Sequence, residues 1–345
     1  MKAAILAGGF GTRMRPLTYT TPKPLLPILN VPMLARIIER LPRDVEGAVL
    51  AVNYLADKIA EYLEENPTRI PVELVEEREP LGTGGAVKNL EKALSGDHFF
   101  VLNGDVVASV DLGSMVEFHR RRGGIGTLHL WTVEDPTAYG IAKMDGNDRI
   151  VEFKEKPRPE EAFSNLINAG TYLLAPEIFD AIPAGRKVSI EQEVFPKILD
   201  RGLFGYQAGE FWIDAGKPLD YIEAHRLLMN EDRKRYRPKR DGVVVEPPAL
   251  IPKGAAIGRG ARVGPNTSLG EGVVIGEEAQ VINSVLLDRV RVGARARIEY
   301  AVVGNGAFIG DGARVSRGTV VADGAEVPAG KRTGNFESVE AQPRK

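Results

Sequence analysis

Apolar residues follow two different rhythms along this chain. Up to about residue 230 they come in short unbroken runs that alternate with stretches of helical spacing; from Leu250 onward they recur every six positions. The runs at Ala3–Ala7 (AAILA), Gly47–Val52 (GAVLAV), 72–77 (VELVEE) and 98–105 (HFFVLNGD) read as buried strands. Between them ARIIERL (35–41), ADKIAEYLEEN (56–66) and GGAVKNLEKAL (84–94) read as helices, the second with Ile59, Tyr62 and Leu63 on one side. Residues 126–174 are strand-dense, in GTLHLWTV, YGIAKMD, RIVEFKEKP and NAGTYLL. SIEQEVFPKILDRG (189–202) reads as a helix, and so does PLDYIEAHRLLMN (218–230), with proline at its start. This alternation predicts a Rossmann-like α/β domain whose mixed, mainly parallel sheet is covered on both faces. Ligands of such sheets gather beyond the carboxyl ends of the strands. The loops to inspect are therefore Gly8–Arg13, Asn53–Tyr54 and Asn103–Asp105.

In the second rhythm Ile251, Ile257, Val263, Leu269, Ile275 and Val281 are six apart; the phase slips by one before Leu286, Val292 and Ile298, and again before Val303, Ile309, Val315, Val321 and Val327. A hexapeptide period signals a parallel β-helix, each rung supplying one flat side with its apolar residue turned inward. A β-sandwich would instead alternate at two. The segment EDRKRYRPKRDG (231–242) is charged and ends the helical pattern. The expected organisation is an α/β domain over 1–230, a linker over 231–248, a β-helix over 249–331 and a loose polar tail over 332–345.

A length of 345 residues fits two domains, and 43% apolar with 27% charged residues is ordinary for a globular protein. A net charge of −2 gives no basic field for nucleic acid, so none is expected as partner. The absence of cysteine removes disulfide and thiolate chemistry. The start MKAAILAGG lacks the long apolar core of a signal peptide, and no run is long enough for a membrane span. A cytoplasmic location is the expectation.

The chemistry-bearing residues cluster in a few stretches. LAGGFGTRMRPLTYTTPKPLLPI (6–28) places Gly8, Gly9 and Gly11 ahead of Arg13, Arg15 and Lys23. A strand leading into GGFGTR offers backbone N–H groups and a helix N-terminus to an anion. No lysine–Ser/Thr pair closes it as in a P-loop, and Met14 occupies the third glycine position of a dinucleotide fingerprint. The alternative is a glycine-rich turn with solvated arginines. Asp105 in LNGD, at the end of a buried strand, suits Mg²⁺, which takes few carboxylates plus phosphate oxygens; the alternative is a turn cap. FWIDAG offers a second carboxylate, Asp214, and EFKEKP ends a strand with Lys154 and Lys156, for which a solvated strand end is the plain reading. In EPLGTGGAVKNL, Gly82 and Thr83 stand on a loop feeding a helix, where a flat base could approach the backbone and the Thr83 hydroxyl could read its edge. Otherwise they merely cap that helix.

Taken in order, LAGGFGTRMRPLTYTTPKP, PLGTGGA, LNGD, EKP, NAGTYLL and FWIDAG resemble the sugar-1-phosphate nucleotidyltransferases over almost the whole chain. SNLINAGTYLL, VSIEQEVFP and IEYAVVG resemble the mannose-1-phosphate guanylyltransferases that end in a left-handed β-helix. Met14 stands where the family commonly has leucine, and Ala215 where isoleucine is frequent. The resemblance implies a nucleotide site at Leu6, Ala7, Gly8, Gly9, Gly11, Thr12, Arg13, Lys23, Gly82, Thr83 and Asn103. It implies a sugar site at Gly140, Glu155, Lys156 and Asn168, and Mg²⁺ held by Asp105 and Asp214. Arg13, Lys23, Asp105 and Lys156 are the implied catalytic residues.

The implied partners are GTP and mannose 1-phosphate. The thymidylyltransferases tend to carry a glutamine in the 76–94 stretch, and none occurs here. A glucose-1-phosphate thymidylyl- or uridylyltransferase and a non-catalytic nucleotide-sugar sensor are the alternatives. Acyl transfer by the solenoid is disfavoured because His98, His119, His129 and His225 all precede it. The flat sides and open end of a β-helix suggest a homo-oligomer.

Overall fold

The computed structural model describes residues 1–341; positions 342–345 of the expected polar tail lie outside the described residues. The chain divides into two compact units, Met1–Gly9 with Leu34–Trp212, and Phe10–Met33 with Ile213 onward. The expected boundary near residue 230 therefore does not mark the contact division: Phe10–Met33 and the last long helix group with the solenoid.

In the first unit the strands β1 (Lys2–Leu6), β2 (Gly47–Val52), β3 (Val72–Glu76) and β4 (Phe99–Asn103) form the parallel part of a nine-stranded sheet, in the order β4-β1-β2-β3. Ala3, Ala4, Ile5, Val49, Leu50, Phe99, Phe100 and Val101 are all essentially inaccessible, as unbroken apolar runs in a doubly covered sheet require. Helices α1 (Met33–Arg40), α2 (Ala56–Glu65) and α3 (Gly82–Asn89) occur in the connections. The helix read over 84–94 starts two residues earlier and breaks at Leu90 before a one-turn helix, Glu91–Leu94.

An unforeseen helix, α4 (Leu112–Arg122), is capped by Asp111, whose side chain accepts from Gly113 and Ser114 N–H groups. The strand-dense part adds β5 (Gly126–Thr132), β6 (Gly140–Met144), β7 (Ile150–Glu155), β8 (Leu166–Leu174) and β9 (Leu203–Tyr206). β8 runs antiparallel to β4, β5 and β6, and β6 to β7, which makes the sheet mixed. The helix expected over 189–202 is instead one π turn (Ile190–Val194) followed by two 3₁₀ turns. Pro196 has no N–H to donate and its ring crowds the preceding turn, so a regular helix cannot pass through.

The second unit is built on three all-parallel sheets, consistent with a left-handed β-helix. Strands of two or three residues stack coil on coil, and Val263, Val281, Ile298 and Val315 form one internal column. The phase slips read in the sequence are real. The coil from Val263 to Val281 is one residue longer than the next, from Val281 to Ile298. The missing residue is taken from a corner, where Asn283 (φ 47) and Tyr300 (φ 49) adopt left-handed backbone, so the apolar side stays inside.

Pairing starts at Val244–Val245, inside the expected linker, and Ser338–Val339 still pairs with Val320–Val321. The stretch after Lys331 is thus not loose as far as Val339. One side of the solenoid is covered by this unit's own chain. Val285, Val302 and Val320 are at most 2% exposed. Asn30 Nδ2 donates to Leu269 O (3.0 Å), Thr20 Oγ1 donates to Asp323 Oδ2 (2.7 Å), and helix α5 (Pro218–Glu231) packs on the strand Thr267–Leu269.

Candidate active site

In the first unit, parallel register sets Leu6 level with Ala51 on one side and Asn103 on the other. Three chain exits therefore share one edge. Ala7 N donates to Ala51 O (2.9 Å) and Gly104 N to Leu6 O (3.0 Å), fixing the start of the glycine loop against the LNGD turn. A methyl group on Gly8 would meet only ordinary contacts, the nearest 3.5 Å away, and one on Gly9 would meet nothing within 4 Å. Asn103 and Asp105 lie half-buried at the end of β4. Asn53 is occupied structurally: its amide donates to Glu77 O.

The second unit carries the cationic part of the same loop. The expected helix N-terminus is absent. Pro16, Pro22 and Pro24 break the segment into three 3₁₀ turns, Thr12–Met14, Leu17–Tyr19 and Lys23–Leu25. Gly11 precedes the first at φ 60, and a methyl group there would also lie 2.9 Å from Thr18 Cγ2, so the position demands glycine twice over.

Lys23 is 7% exposed, and its Nζ lies 3.6 Å from Asp214 Oδ1. Arg13 Nη2 donates to Asp214 Oδ2 at 3.3 Å. Gly216 makes this possible, since a methyl group there would sit 2.4 Å from Arg13 Nη2. Asp214 Oδ1 is buried and accepts no hydrogen bond. A hard oxygen held this way fits a divalent cation such as Mg²⁺. Among the described residues no cluster of three or more acidic, histidine or cysteine side chains is poised for a metal, so any cation would rest on isolated carboxylates and ligand oxygens.

The loop expected to read a base is differently used. Thr83 Oγ1 donates to Glu191 Oε2 (2.6 Å) and accepts from Ile190 N (3.0 Å), so its hydroxyl is engaged within the fold. The glycines beside it admit the 186–190 segment. A methyl group on Gly84 would lie 2.9 Å from Val188 Cγ1, and one on Gly82 2.6 Å from Val188 O. Gly84 N and Gly85 N both donate to Val188 O.

The residues expected to hold a sugar do come together. Gly140 pairs with Glu155 across β6 and β7, and Lys156 N donates to Tyr139 O (2.9 Å). Asn168 Nδ2 donates to Tyr172 OH (2.8 Å), and Tyr172 OH donates to Glu191 Oε1 (3.3 Å). Burial and then the Glu191 charge push the Glu155 carboxyl up to about 7, against the pull of Lys156. Lys156 itself takes left-handed backbone (φ 46) and exposes its side chain, with Nζ 3.8 Å from Glu155 Oε1. Glu191 is a member of this group that sequence reasoning passed over. Its only signal was the stretch VSIEQEVFP, which carried no spacing to the other members.

Residues 2–231 match the family described as Nucleotidyl transferase, and 245–332 match the GMPPB C-terminal domain. The probable mannose-1-phosphate guanylyltransferase 1 of Oryza sativa subsp. japonica is 40% identical over 272 residues, covering 74% of each chain. The mannose-1-phosphate guanylyltransferase of Mycobacterium tuberculosis is 37% identical, again over 74% of each. Among solved structures, HddC from Yersinia pseudotuberculosis complexed with GMP-PN is 32% identical with a TM-score of 0.56, over 66% of this chain and 99% of that one. A putative glucose-1-phosphate thymidylyltransferase from Bacillus anthracis in complex with a sucrose is 27% identical with a TM-score of 0.60, over 66% and 94%. No helix among the described residues is long and apolar enough to cross a membrane. With its glycine loop at the parallel strand ends, its Arg13–Asp214–Lys23 cluster and a family match over residues 2–231, the chain belongs to the nucleotidyl transferase family.

Proposed function

We propose that the protein transfers a guanylyl group from GTP to mannose 1-phosphate, yielding GDP-mannose and pyrophosphate. A phosphate oxygen of the sugar phosphate attacks the α-phosphorus of GTP in line; the new O–P bond forms as the bond to the β-phosphate oxygen breaks and pyrophosphate leaves. The nucleophile is already anionic near neutral pH, because a phosphate monoester's second pKa is about 6, so no general base is needed. Positioning and charge neutralisation carry the rate.

In this reading the backbone from Leu6 to Thr12 cradles the triphosphate, with Asn103 beside it. Arg13 neutralises the leaving pyrophosphate, and Lys23 holds phosphate at the reacting centre. Lys156 grips the sugar phosphate, while Gly140, Glu155 and Asn168 meet the sugar hydroxyls. Asp105 and Asp214 are the residues that would hold Mg²⁺. When bound, that ion neutralises the triphosphate oxygens.

The observation that carries the reading is the convergence of Arg13 and Lys23 on Asp214, whose Oδ1 accepts no hydrogen bond. Two cations on one carboxylate form a pre-assembled charge site suited to polyphosphate. The names of the sequence relatives support guanine and mannose as the specific pair.

The test crosses GTP, dTTP and UTP with mannose and glucose 1-phosphates and follows pyrophosphate release. The expected result is GTP with mannose 1-phosphate; a tenfold preference for either pyrimidine nucleotide over GTP overturns the assignment. Asp105→Asn, nearly isosteric, is expected to fold normally and to lose roughly 10²-fold or more in kcat.

A further inference from the structure

Glu191 joins the sugar group to α3, and none of the roles above accounts for it. It stands in the π turn Ile190–Val194, where its Oε2 accepts from Thr83 Oγ1 (2.6 Å) and Ser189 Oγ (2.8 Å). Both hydroxyls are themselves held by backbone donors, Thr83 by Ile190 N (3.0 Å) and Ser189 by Gln192 N (3.2 Å). The carboxylate is therefore anchored at one oxygen, and its other oxygen, Oε1, accepts from the Tyr172 hydroxyl at 3.3 Å. Tyr172 is inaccessible to solvent. Burial and then the Glu191 charge raise its pKa well above the ordinary value, so the hydroxyl keeps its proton.

The register of β8 against β5 shifts between Asn168 and Tyr172, with Gly170 in left-handed backbone (φ 71), and the two side chains meet. Asn168 Nδ2 donates to Tyr172 OH (2.8 Å), and Gly170 N donates to Asn168 Oδ1 (3.1 Å). The direction of each bond follows from the carboxylate. An ionised carboxylate only accepts, and a tyrosine hydroxyl has one proton to give. Glu191 takes that proton, so the Tyr172 oxygen is left to accept and holds the amino end of the Asn168 amide. One N–H of that amide then remains, and it makes no bond among the described residues. A sugar hydroxyl arriving at Asn168 meets a donor whose direction is fixed from behind. Without Glu191 the Tyr172 proton has no acceptor left among the described residues except Asn168 Oδ1, where it competes with Gly170 N. The amide is then pulled two ways.

We infer that Glu191 is a positioning residue of the sugar site, acting through Tyr172 to set the direction in which the Asn168 amide meets a sugar hydroxyl. This rests on the mannose 1-phosphate reading above and deepens it.

The test uses the full chain with GTP and mannose 1-phosphate, each varied in turn. Glu191→Leu removes both oxygens at similar bulk. It is expected to raise the KM for mannose 1-phosphate by about tenfold or more and to leave the KM for GTP unchanged. Its thermal midpoint is expected to fall, because the Thr83 and Ser189 hydroxyls lose their acceptor, and the assays are run below that midpoint. Tyr172→Phe cuts the relay by deleting one oxygen while Glu191 stays in place, and it is expected to raise the same KM by a similar factor. The double variant is expected to be no worse in that KM than the weaker single variant by more than about twofold, since both changes break one chain of bonds. A Glu191→Leu enzyme that is merely less stable, or whose two KM values rise together, overturns the inference, and so do single effects that multiply in the double variant. Should Glu191→Leu fail to fold, Tyr172→Phe decides: a wild-type KM for mannose 1-phosphate there overturns the inference. All of these results leave the mannose 1-phosphate reading standing. A wild-type enzyme that releases no pyrophosphate with any sugar 1-phosphate overturns both.

Discussion

Two glycine-rich stretches follow parallel strands of the first unit, Gly8–Gly9 after β1 and Gly82–Gly85 at the start of α3, and they use glycine in opposite ways. A side chain at Gly8 or Gly9 would clash with nothing in the protein. A side chain at Gly82, Gly84 or Gly85 would run into the 186–190 segment or Leu81. The fold requires the second set and does not require the first. A glycine that the fold can do without marks space left open for something else, and here that space adjoins Asn53 and the Glu77 carboxylate. A glycine with its space already filled is a packing residue, whatever motif it stands in.

Gly9→Ala is the sharpest way to break this contrast. The expected outcome is an unchanged thermal midpoint with kcat/KM for the nucleotide down roughly 10²-fold, as a displaced polyphosphate would give. Retained activity would show that the loop is not a ligand cradle. Gly84→Ala is the mirror experiment. Overpacking against Val188 and Ile190 is expected to cost about 1–3 kcal/mol and lower the midpoint by several degrees, with near wild-type turnover per folded molecule.

His129 extends the contrast to a titrating group that belongs wholly to the fold. Burial lowers its pKa to about 4, opposed by its bond to Ala208 O and aided by the Arg40 charge. A depressed histidine contributes stability that is complete above its unfolded value near 6.5 and is lost as pH falls toward the folded value. Denaturant melts at pH 6.5 and pH 5 should therefore differ by about 2 kcal/mol from this residue, and His129→Gln should flatten that difference. Thr83→Val is the smallest change. It is expected to cost about 1 kcal/mol, through the lost bonds to Glu191 and Ile190, and to leave the GTP-to-UTP preference untouched. A shift in that preference would return the hydroxyl to the base site.

Much of the fold was legible because it is written in local periodicity. The unbroken run GAVLAV could only be a doubly covered strand, and each of its residues is buried. The six-residue repeat gave the solenoid and even its short coils, since inward-facing positions must stay in phase. The helix over 189–202 was misread because the apolar spacing was right while Pro196 forbade the hydrogen bonding. The glycine loop was credited with a helix N-terminus for a related reason: its prolines stop propagation after single turns. Arg13, Lys23 and Asp214 were singled out from type and order, and the structure adds that Arg13 and Lys23 both reach the Asp214 carboxylate. Glu77 and Glu191 went unassigned because nothing adjacent in sequence sets them apart from neighbouring glutamates.

The sequence by itself determined most of the strands and several helices, the parallel strand ends where a ligand would sit, the β-helix, and the residue chemistry available at each. Those follow from interactions among residues a few positions apart. Only the tertiary structure decided which glycines are filled, that Thr83 is tied to Glu191 across 108 positions, and that Arg13 meets Asp214 across 201. It also decided that Phe10–Met33 lies on the solenoid, and that one buried carboxylate is left short of partners. Each of these depends on a distance between remote segments, and a one-dimensional pattern holds no such distance until packing fixes it.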